Sequence, residues 1–548
     1  TSRYQSTPPF THRMVSEPSN YDVLLDAPEA FSSVDATSVR PIRSTIRAAN
    51  KFGDLFEGTC LTEIARFGGY TSYQPPGNVD RYVAEAMKSW NYPLYDSIRG
   101  YTRRGAGVPG LYNALMRFEH ERKSWSDLDH RSQSLLRRAI KITRDRFTLP
   151  SKIEPLDWHE VGAYLKTDTS AGITWPGKKK GDVMEEIYPA ARWLGHRMKQ
   201  GGKGFNPSKV HFPPCMAATR GSMSDRDDPK TRMVWIYPAE MLVVEGLYAP
   251  KMYEAFIAQK DSPLLTGKTP SRLAASLGAS RSSVLKKLGM DFSSFDATVP
   301  AFLIHIAFDI LRRNVDWDHW NGEPVSDTQK RKWANVWSNM VWYFINTPVL
   351  MPDGRMFRKY GGVPSGTFWT QLIDSVVNYL VVQFLALEQD QEAQDLKVLG
   401  DDSACHVRAF DITRAVHVAK SCFGMSVNGE KTELTEDMQR FKLLGTQYRK
   451  GVPFREDEEW FKLLLYPEGV VRDVDQSMSR FVGLWLTGGM YSQLFCDFWK
   501  YFQTGYPCPG FGRFSRNQRR GLTALLGSDP GEWWKLRSPS FDYPHEVH

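Results

Sequence analysis

The segment Val398-Leu-Gly-Asp-Asp-Ser-Ala-Cys-His-Val407 sets two adjacent carboxylates, Asp401 and Asp402, after a glycine and between two apolar runs. Val398 and Leu399 lead in; Ala404, Cys405 and Val407 lead out. This pattern predicts a β-hairpin with a Gly-Asp-Asp turn. Two negative charges at one tip repel each other, and a divalent cation is the usual way to offset them. The rest of the chain is best read by what it can bring to this tip.

Upstream, Val284 to Asp291 reads as a strand ending in a carboxylate, and Phe292-Ser-Ser-Phe-Asp296-Ala-Thr follows as a turn. Pro300 then opens the apolar helix Ala301 to Leu311, where a first-turn proline belongs. Taken alone, Asp296 is as readily a helix-start residue as a ligand. Next, Gly361-Gly-Val-Pro-Ser-Gly-Thr-Phe-Trp-Thr370 is a glycine-rich loop running into a helix. Trp369, Leu372, Ile373, Val376, Val377 and Leu380 mark the buried stripe of that helix. Thr370, Asp374 and Asn378, spaced i, i+4, i+8, line a different face. Such a polar stripe needs either a hydrogen-bonded seam or a wet cleft. Beyond the hairpin, helix Ile412 to Phe423 closes at Gly424, and a loop carries Lys431, where a proton donor would be useful.

Cations gather before these segments. Arg220, Arg226, Lys230 and Arg232 precede or open the alternating strand Lys230-Thr-Arg-Met-Val-Trp-Ile-Tyr-Pro238. Guanidinium forks and an ammonium at a strand root suit a triphosphate clamp. The loop Thr169 to Asp182 holds the small residues Ser170 and Gly172, which let a nucleic-acid strand approach the backbone, and Lys178, Lys179 and Lys180, which would neutralise phosphates. A solvated lysine run is the plainer reading of the triplet. Arg137, Arg138, Arg144 and Arg146 flank an apolar face of Leu135, Leu136, Ala139 and Ile140, and serve equally as an exposed helix face or a nucleic-acid surface.

A chain of 548 residues is too long for one core, so several subdomains are expected. The formal charge of +8 matters only if it is concentrated, as in a basic channel. Six cysteines without a Cys-x-x-Cys pair argue against a zinc site or disulfide scaffold and for a reducing compartment. The polar N-terminus lacks a signal-peptide core, and no apolar run is expected to span a membrane.

The order of these parts resembles motifs A to D of viral RNA-dependent RNA polymerases. Asp291-Phe-Ser-Ser-Phe-Asp296 resembles motif A, Ser365-Gly366 to Thr370 and onward motif B, Gly400-Asp401-Asp402 motif C, and the Lys431 segment motif D. Lys230-Thr-Arg232 is similar to motif F, Thr169-Ser-Ala-Gly172 to motif G, and Phe441-Lys-Leu-Leu-Gly445 to motif E. Gly-Val-Pro-Ser-Gly, Val-Leu-Gly-Asp-Asp-Ser and Leu-Leu-Leu-Tyr466-Pro-Glu468 most resemble partitiviruses, capsid-enclosed double-stranded RNA viruses, with picobirnaviruses the near neighbour.

The resemblance implies an α+β fold shaped as a closed right hand, its palm an antiparallel sheet on helices, with fingers and a helical thumb. It divides the chain into an arm at 1–55 bridging fingers and thumb, fingers at 56–283, palm at 284–300, a fingers insertion at 301–358, palm at 359–450, and thumb and tail at 451–548. It implies two-metal nucleotidyl transfer in replication and transcription of a viral genome, using Mg²⁺, or Mn²⁺ in its place. Asp291, Asp401 and Asp402, with the Phe292 carbonyl, would be the metal ligands, and Lys431 the acid. Asp296, Arg220, Lys230, Arg232, Ser365, Gly366, Thr370 and either Asp374 or Asn378 would serve the nucleotide. Asp374 stands where the family has asparagine, which leaves ribose reading open between these last two. Ser170, Gly172 and Lys178 to Lys180 would touch RNA, and Arg513, Arg516, Arg519 and Arg520 would serve equally as contacts to the product duplex or as a basic helix surface. The implied partners are RNA, ribonucleoside triphosphates and capsid protein, with no membrane, in the virion interior and host cytoplasm. A reverse transcriptase-like enzyme and a non-catalytic RNA-binding virion protein are the alternatives; Gly400 and Asp296 favour ribonucleotides.

Overall fold

The hairpin forms from strands Gln394–Leu399 and Asp402–Val407, paired antiparallel with Leu399 opposite Asp402. Only Gly400 and Asp401 make the turn, so Asp402 is the first residue of the outgoing strand. Gly400 sits at φ +63°, a left-handed conformation open to glycine at little cost. In this computed structural model, residues 59–75, 77–200, 212–265, 284–436, 440–444, 446–449 and 452–506 are described.

Two further strands complete an antiparallel sheet: Lys286–Gly289 beside Asp402–Val407, and Glu433–Thr435 beyond it. The strand that leads to Asp291 therefore lies next to the strand that leaves Asp401. The apolar sides of helices Ala301–Arg312, Thr370–Glu388 and Ile412–Phe423 join this sheet in one large core. Each fully buried aliphatic side chain there contributes about 1.5–3 kcal/mol.

Helix Thr370–Glu388 departs from the two-faced reading, because every residue from Leu372 to Leu387 is buried. Its polar side chains therefore need protein partners. By length and composition this helix could cross a membrane, which corrects the expectation that no run is long enough; 89% of its apolar window is buried inside the protein.

A second sheet runs in the order Leu61–Arg66, Arg355–Lys359, Pro348–Leu350, Cys215–Gly221, Thr231–Ile236. Its single parallel pairing joins Pro348–Leu350 to Cys215–Gly221. Helix His130–Arg146 buries Leu136, Ala139 and Thr143. Four of its arginines pair with acids, Arg131 with Glu388 at 3.9 Å, Arg138 with Glu392 at 2.5 Å, Arg144 with Asp145 at 3.6 Å and Arg146 with Asp261 at 3.1 Å, which favours the exposed-face reading of that basic run.

Strands Arg440–Leu443, Thr446–Arg449 and Val452–Phe454 form a small antiparallel sheet. Helices Asp457–Leu465, Val474–Leu486 and Gln493–Gly505 follow. They share an aromatic-rich core with Val83, Ala84, Met87 and Ile98 from the early helices Arg81–Trp90 and Tyr92–Ile98. Asp80, fully buried, anchors this junction. It caps the first early helix through Tyr82 and Val83 amides, accepts from Ser477 Oγ at 2.9 Å, and pairs with Arg480 at 2.7 Å. Residues 80–98 thus join the C-terminal helices from within the expected fingers. The expected arm at 1–55, Arg513, Arg516, Arg519, Arg520 and the C-terminal tail lie outside the described residues.

Candidate active site

Asp291 follows strand Lys286–Gly289 and is stitched to the loop carrying Lys431. Its amide donates to Thr432 Oγ1 (3.2 Å), its carbonyl accepts from Asn428 N (2.8 Å), and the Thr432 hydroxyl donates to Asn428 O (2.8 Å). Phe292 pairs with Val427 in a two-residue ladder. Lys431 is left exposed, its amide donating to Asn428 Oδ1. The segments resembling motifs A and D are therefore one hydrogen-bonded unit.

Asp296 lies in the short helix Phe295–Thr298, entered through Ser294 at φ 55°. Its carbonyl accepts from Val363 N at 2.6 Å and fixes the glycine-rich loop. That loop is also tied to the strand Thr231–Ile236: Trp235 N donates to Ser365 O at 2.9 Å. At Gly366, φ is +122° and a Cβ would fall 2.3 Å from the Trp235 carbonyl oxygen, so only glycine fits.

The carboxyls act on one another. Burial, then the charge of Asp401, pushes Asp296 up to about 6. Burial raises Asp401, and Asp291 adds to the rise while Arg232 opposes it. Burial, then Asp401, pushes Asp402 up to about 6. Asp374 is fully buried and held well above the ordinary range by burial, then by Asp296 and Asp401. Asp291, Asp296, Asp374, Asp401 and Asp402 thus form one acidic group, and the exposed Arg232 is near enough to oppose the rise at Asp296 and Asp401. Asp401 keeps solvent-exposed surface at the tip while its carboxyl is set among the other acids, whereas Asp402 is half-buried and accepts a long bond from Leu444 N (3.4 Å).

Among the described residues no three His, Cys, Asp or Glu side chains form a ready-made metal cage. Mg²⁺ does not need one: it binds through one or two carboxylates plus substrate phosphates and water. Carboxyls from separate segments beside an open turn suit that kind of binding, and Asp291, Asp401 and Asp402 are the residues whose oxygens would supply it.

Arg220 and Arg232 are cross-strand partners on strands Cys215–Gly221 and Thr231–Ile236, and both are exposed. Arg220 also meets Glu468 at 3.4 Å, a carboxylate that Arg103 approaches at 3.5 Å. Lys230 is exposed just before the strand.

Three expectations are corrected. Asn378 is fully buried, and its Nδ2 donates to the Gly400 carbonyl at 2.9 Å; it holds the turn and cannot face a ribose. Lys180 is buried, its ammonium donating to Thr169 Oγ1 (2.8 Å) and Ser170 O (2.7 Å), which leaves Lys178 and Lys179 as the exposed pair. Gly172 is buried too: a Cβ there would meet Pro238 Cα at 3.0 Å, so the close approach is to protein backbone rather than RNA. Ser170, partly buried, accepts from Gly172 N. Thr370 is half-buried and donates to Pro364 O at 2.8 Å, bracing the loop from below.

Sequence reasoning passed over several supporting groups. Ser375 Oγ accepts from Gly400 N at 2.9 Å. On helix Ala239–Gly246, Glu240 accepts from Thr174 Oγ1 at 2.5 Å and Glu245 from Phe368 N at 3.1 Å. Buried Lys359 donates to the carbonyls of Phe344, Ile345 (3.0 Å) and Gly362 (2.9 Å). Two acids inside the apolar run Ala-Glu-Met-Leu-Val-Val-Glu-Gly were the signal available for the glutamates.

Comparison with known proteins agrees with this arrangement. The chain is 33% identical over 249 residues to the RNA-directed RNA polymerase of Cryptosporidium parvum virus 1 (strain KSU-1), covering 44% of this chain and 43% of that one. It is 26% identical over 236 residues to that of White clover cryptic virus 1 (isolate Boccardo/2004), covering 38% and 35%. The aligned stretch spans less than half the length of either relative, and the partitivirus likeness holds. The crystal structure of a human picobirnavirus RNA-dependent RNA polymerase shares the right-hand fold, with a TM-score of 0.57, 13% identity, and coverage of 93% of this chain and 94% of that one. The viral RNA-dependent RNA polymerase family matches residues 61–503, more than half of the sequence, and the chain belongs to that family.

Proposed function

We propose that the chain catalyses template-directed RNA synthesis, transcribing and replicating a double-stranded RNA genome. A primer 3′-hydroxyl attacks the α-phosphate of a ribonucleoside triphosphate, and pyrophosphate leaves. The observation that carries this reading is the pairing of the strand that leads to Asp291 with the strand that leaves Asp401, beside a glycine-rich loop bonded to the strand of Arg232.

Asp291, Asp401 and Asp402 would hold divalent cations, Mg²⁺ or Mn²⁺, whose chemistry when bound is to neutralise the attacking and leaving oxygens of the transfer. Asp401, in the turn itself, is the principal ligand; Asp402 assists. Arg232 and Lys230 hold the triphosphate, with Arg220 beside them once it leaves Glu468. Lys431, carried on the loop bonded to Asp291, gives a proton to pyrophosphate. Asp296 reads the ribose 2′-hydroxyl with Asp374 beneath it, and Ser365 and Gly366 shape the template–nucleotide pocket. Lys178 and Lys179 meet RNA phosphates at the rim. The same reading sets the enzyme in the virion interior and host cytoplasm with capsid protein as a neighbour; its recovery with purified particles tests that placement.

Template-dependent incorporation of labelled ribonucleotides with Mg²⁺, for the wild type and Asp401→Ala, decides the main question. Incorporation lost in the variant supports the assignment, and equal synthesis by both overturns it. Deoxynucleotides used as readily as ribonucleotides would remove the role given to Asp296.

A further inference from the structure

Helix Thr370–Glu388 grips the Gly-Asp-Asp hairpin at both ends. At the far end Gln383 takes both backbone polar groups of Ala393, its Nε2 donating to the carbonyl at 2.8 Å and its Oε1 accepting from the amide at 3.2 Å. At the tip two residues share the same task on Gly400. Ser375 Oγ accepts from the Gly400 amide at 2.9 Å, and Asn378 Nδ2 donates to the Gly400 carbonyl at 2.9 Å. Ser375 in turn donates to Gln371 O at 2.6 Å, so its hydroxyl is oriented by the helix itself. Ser375 and Asn378 are both fully buried, and Gln383 is 2% exposed.

The two grips differ in what they hold. Ala393 lies just before the first strand, whereas Gly400 is bonded directly to Asp401. With both peptide groups that flank Gly400 fixed, the helix places the backbone nitrogen from which Asp401 projects. A glycine turn without these bonds could pivot about Gly400, because glycine has free access to both signs of φ.

We propose that Ser375 and Asn378 are positioning residues that preset the Asp401 carboxylate for a divalent cation, making the buried helix part of the metal site without touching the ion. The proposal rests on the function given above for Asp401. Partners one shell out from a ligand typically change metal affinity by about 10- to 100-fold when removed.

Mn²⁺ binding to the full chain, followed by the loss of the free-ion electron paramagnetic resonance signal without RNA or nucleotide, tests this independently of catalysis. Ser375→Ala and Asn378→Leu are expected to weaken Mn²⁺ about tenfold or more, and to raise the Mg²⁺ needed for half-maximal synthesis by a similar factor. Gln383→Leu, which breaks the two matching bonds at Ala393, should lower the melting temperature comparably but leave Mn²⁺ affinity within about twofold of wild type. Wild-type affinity in Ser375→Ala, or equal weakening in Gln383→Leu, overturns the proposal. Ser375→Ala removes one oxygen and decides the matter if Asn378→Leu does not fold. Asp401→Ala is the reference: wild-type Mn²⁺ binding there would remove the metal role of Asp401 and this proposal with it, whereas lost binding in Asp401→Ala with intact binding in Ser375→Ala removes this proposal alone.

Discussion

Arg220 and Arg232 stand directly opposite each other across two antiparallel strands, like charges in a pairing that favours opposite ones. Such an arrangement costs stability, roughly 0.2–1 kcal/mol, and Glu468 at 3.4 Å from Arg220 offsets it on one side only, until an anion lies between or above the two forks. Arg232→Ala should therefore leave the melting temperature unchanged or slightly raised while lowering kcat/KM for ribonucleotides about 100-fold, as removal of a charge-stabilising donor does. Parallel melts and incorporation assays check the split; a loss of stability with unaltered kcat/KM would contradict it.

Asp401 and Asp402 should separate in their effects. Asp401 forms the turn, whereas Asp402 starts a strand and spends part of its carboxylate on the Leu444 amide. Asp401→Asn is expected to lower kcat by about 1000-fold or more and Asp402→Asn by roughly 10- to 100-fold, on the scale of losing an electrostatic contact to the transition state. Single-turnover rates at saturating nucleotide measure this, and a larger loss at Asp402 would reverse the roles.

Glu240 gives the fold a pH dependence of known sign. Burial pushes its carboxyl from the ordinary 4.5 up to about 7. The folded chain therefore binds this proton more readily than the unfolded chain. The contribution is full below about 4.5 and is lost as pH rises through about 7, on the order of 3 kcal/mol for such a shift. Urea midpoints from pH 5 to 8 should fall for the wild type, and the fall should be shallower in Glu240→Gln, which keeps the shape without the ionisation.

The Asp80–Arg480 pair predicts a strong stability effect far from the pocket. Arg480 also donates to the carbonyls of Leu463 (2.8 Å) and Leu464 (2.7 Å), so its loss strands several buried groups. Arg480→Ala should cost about 3–5 kcal/mol, as breaking a buried pair does. The double variant with Asp80→Ala should cost less than the sum of the single changes. Denaturant titration of the four proteins gives both quantities.

Glycine-to-alanine changes should discriminate two loops. Gly366→Ala brings a methyl into the Trp235 carbonyl at a positive φ and is expected to abolish synthesis. Gly177→Ala, at φ +74° with no atom within 4 Å of the added Cβ, should cost only about 1–2 kcal/mol of backbone strain and leave synthesis intact. Melting and incorporation assays on both proteins check the contrast.

The hairpin, the strand before Asp291, the loop before Thr370 and the charged strand at Arg232 were all legible in the sequence. Each depends on local chemistry: a turn glycine, an alternating strand, a glycine-rich loop; Pro300, expected in the first helical turn, instead stands just outside helix Ala301–Arg312 as its extended cap. Direction of facing was harder to read. Lys180 turns inward because Thr169 and Ser170 offer it two oxygens, and no neighbouring composition distinguishes it from Lys178 and Lys179. Asn378 is taken by a peptide group 22 residues away, so helical spacing alone could not tell a cleft from a seam. Glu245 meets Phe368 across 123 positions, and residues 80–98 meet helices nearly four hundred positions later. These pairings follow from tertiary packing rather than from local propensity.

The junction at Asp80 also bears on how the molecule is born. Its ring-rich core needs Met87 and Phe502 together, so it cannot close during synthesis of the first five hundred residues. The early helices leave the ribosome with their apolar sides uncovered and wait for the last helices to arrive. Chains that stop before helix Gln493–Gly505 would therefore leave the apolar sides of helices Arg81–Trp90 and Tyr92–Ile98 uncovered.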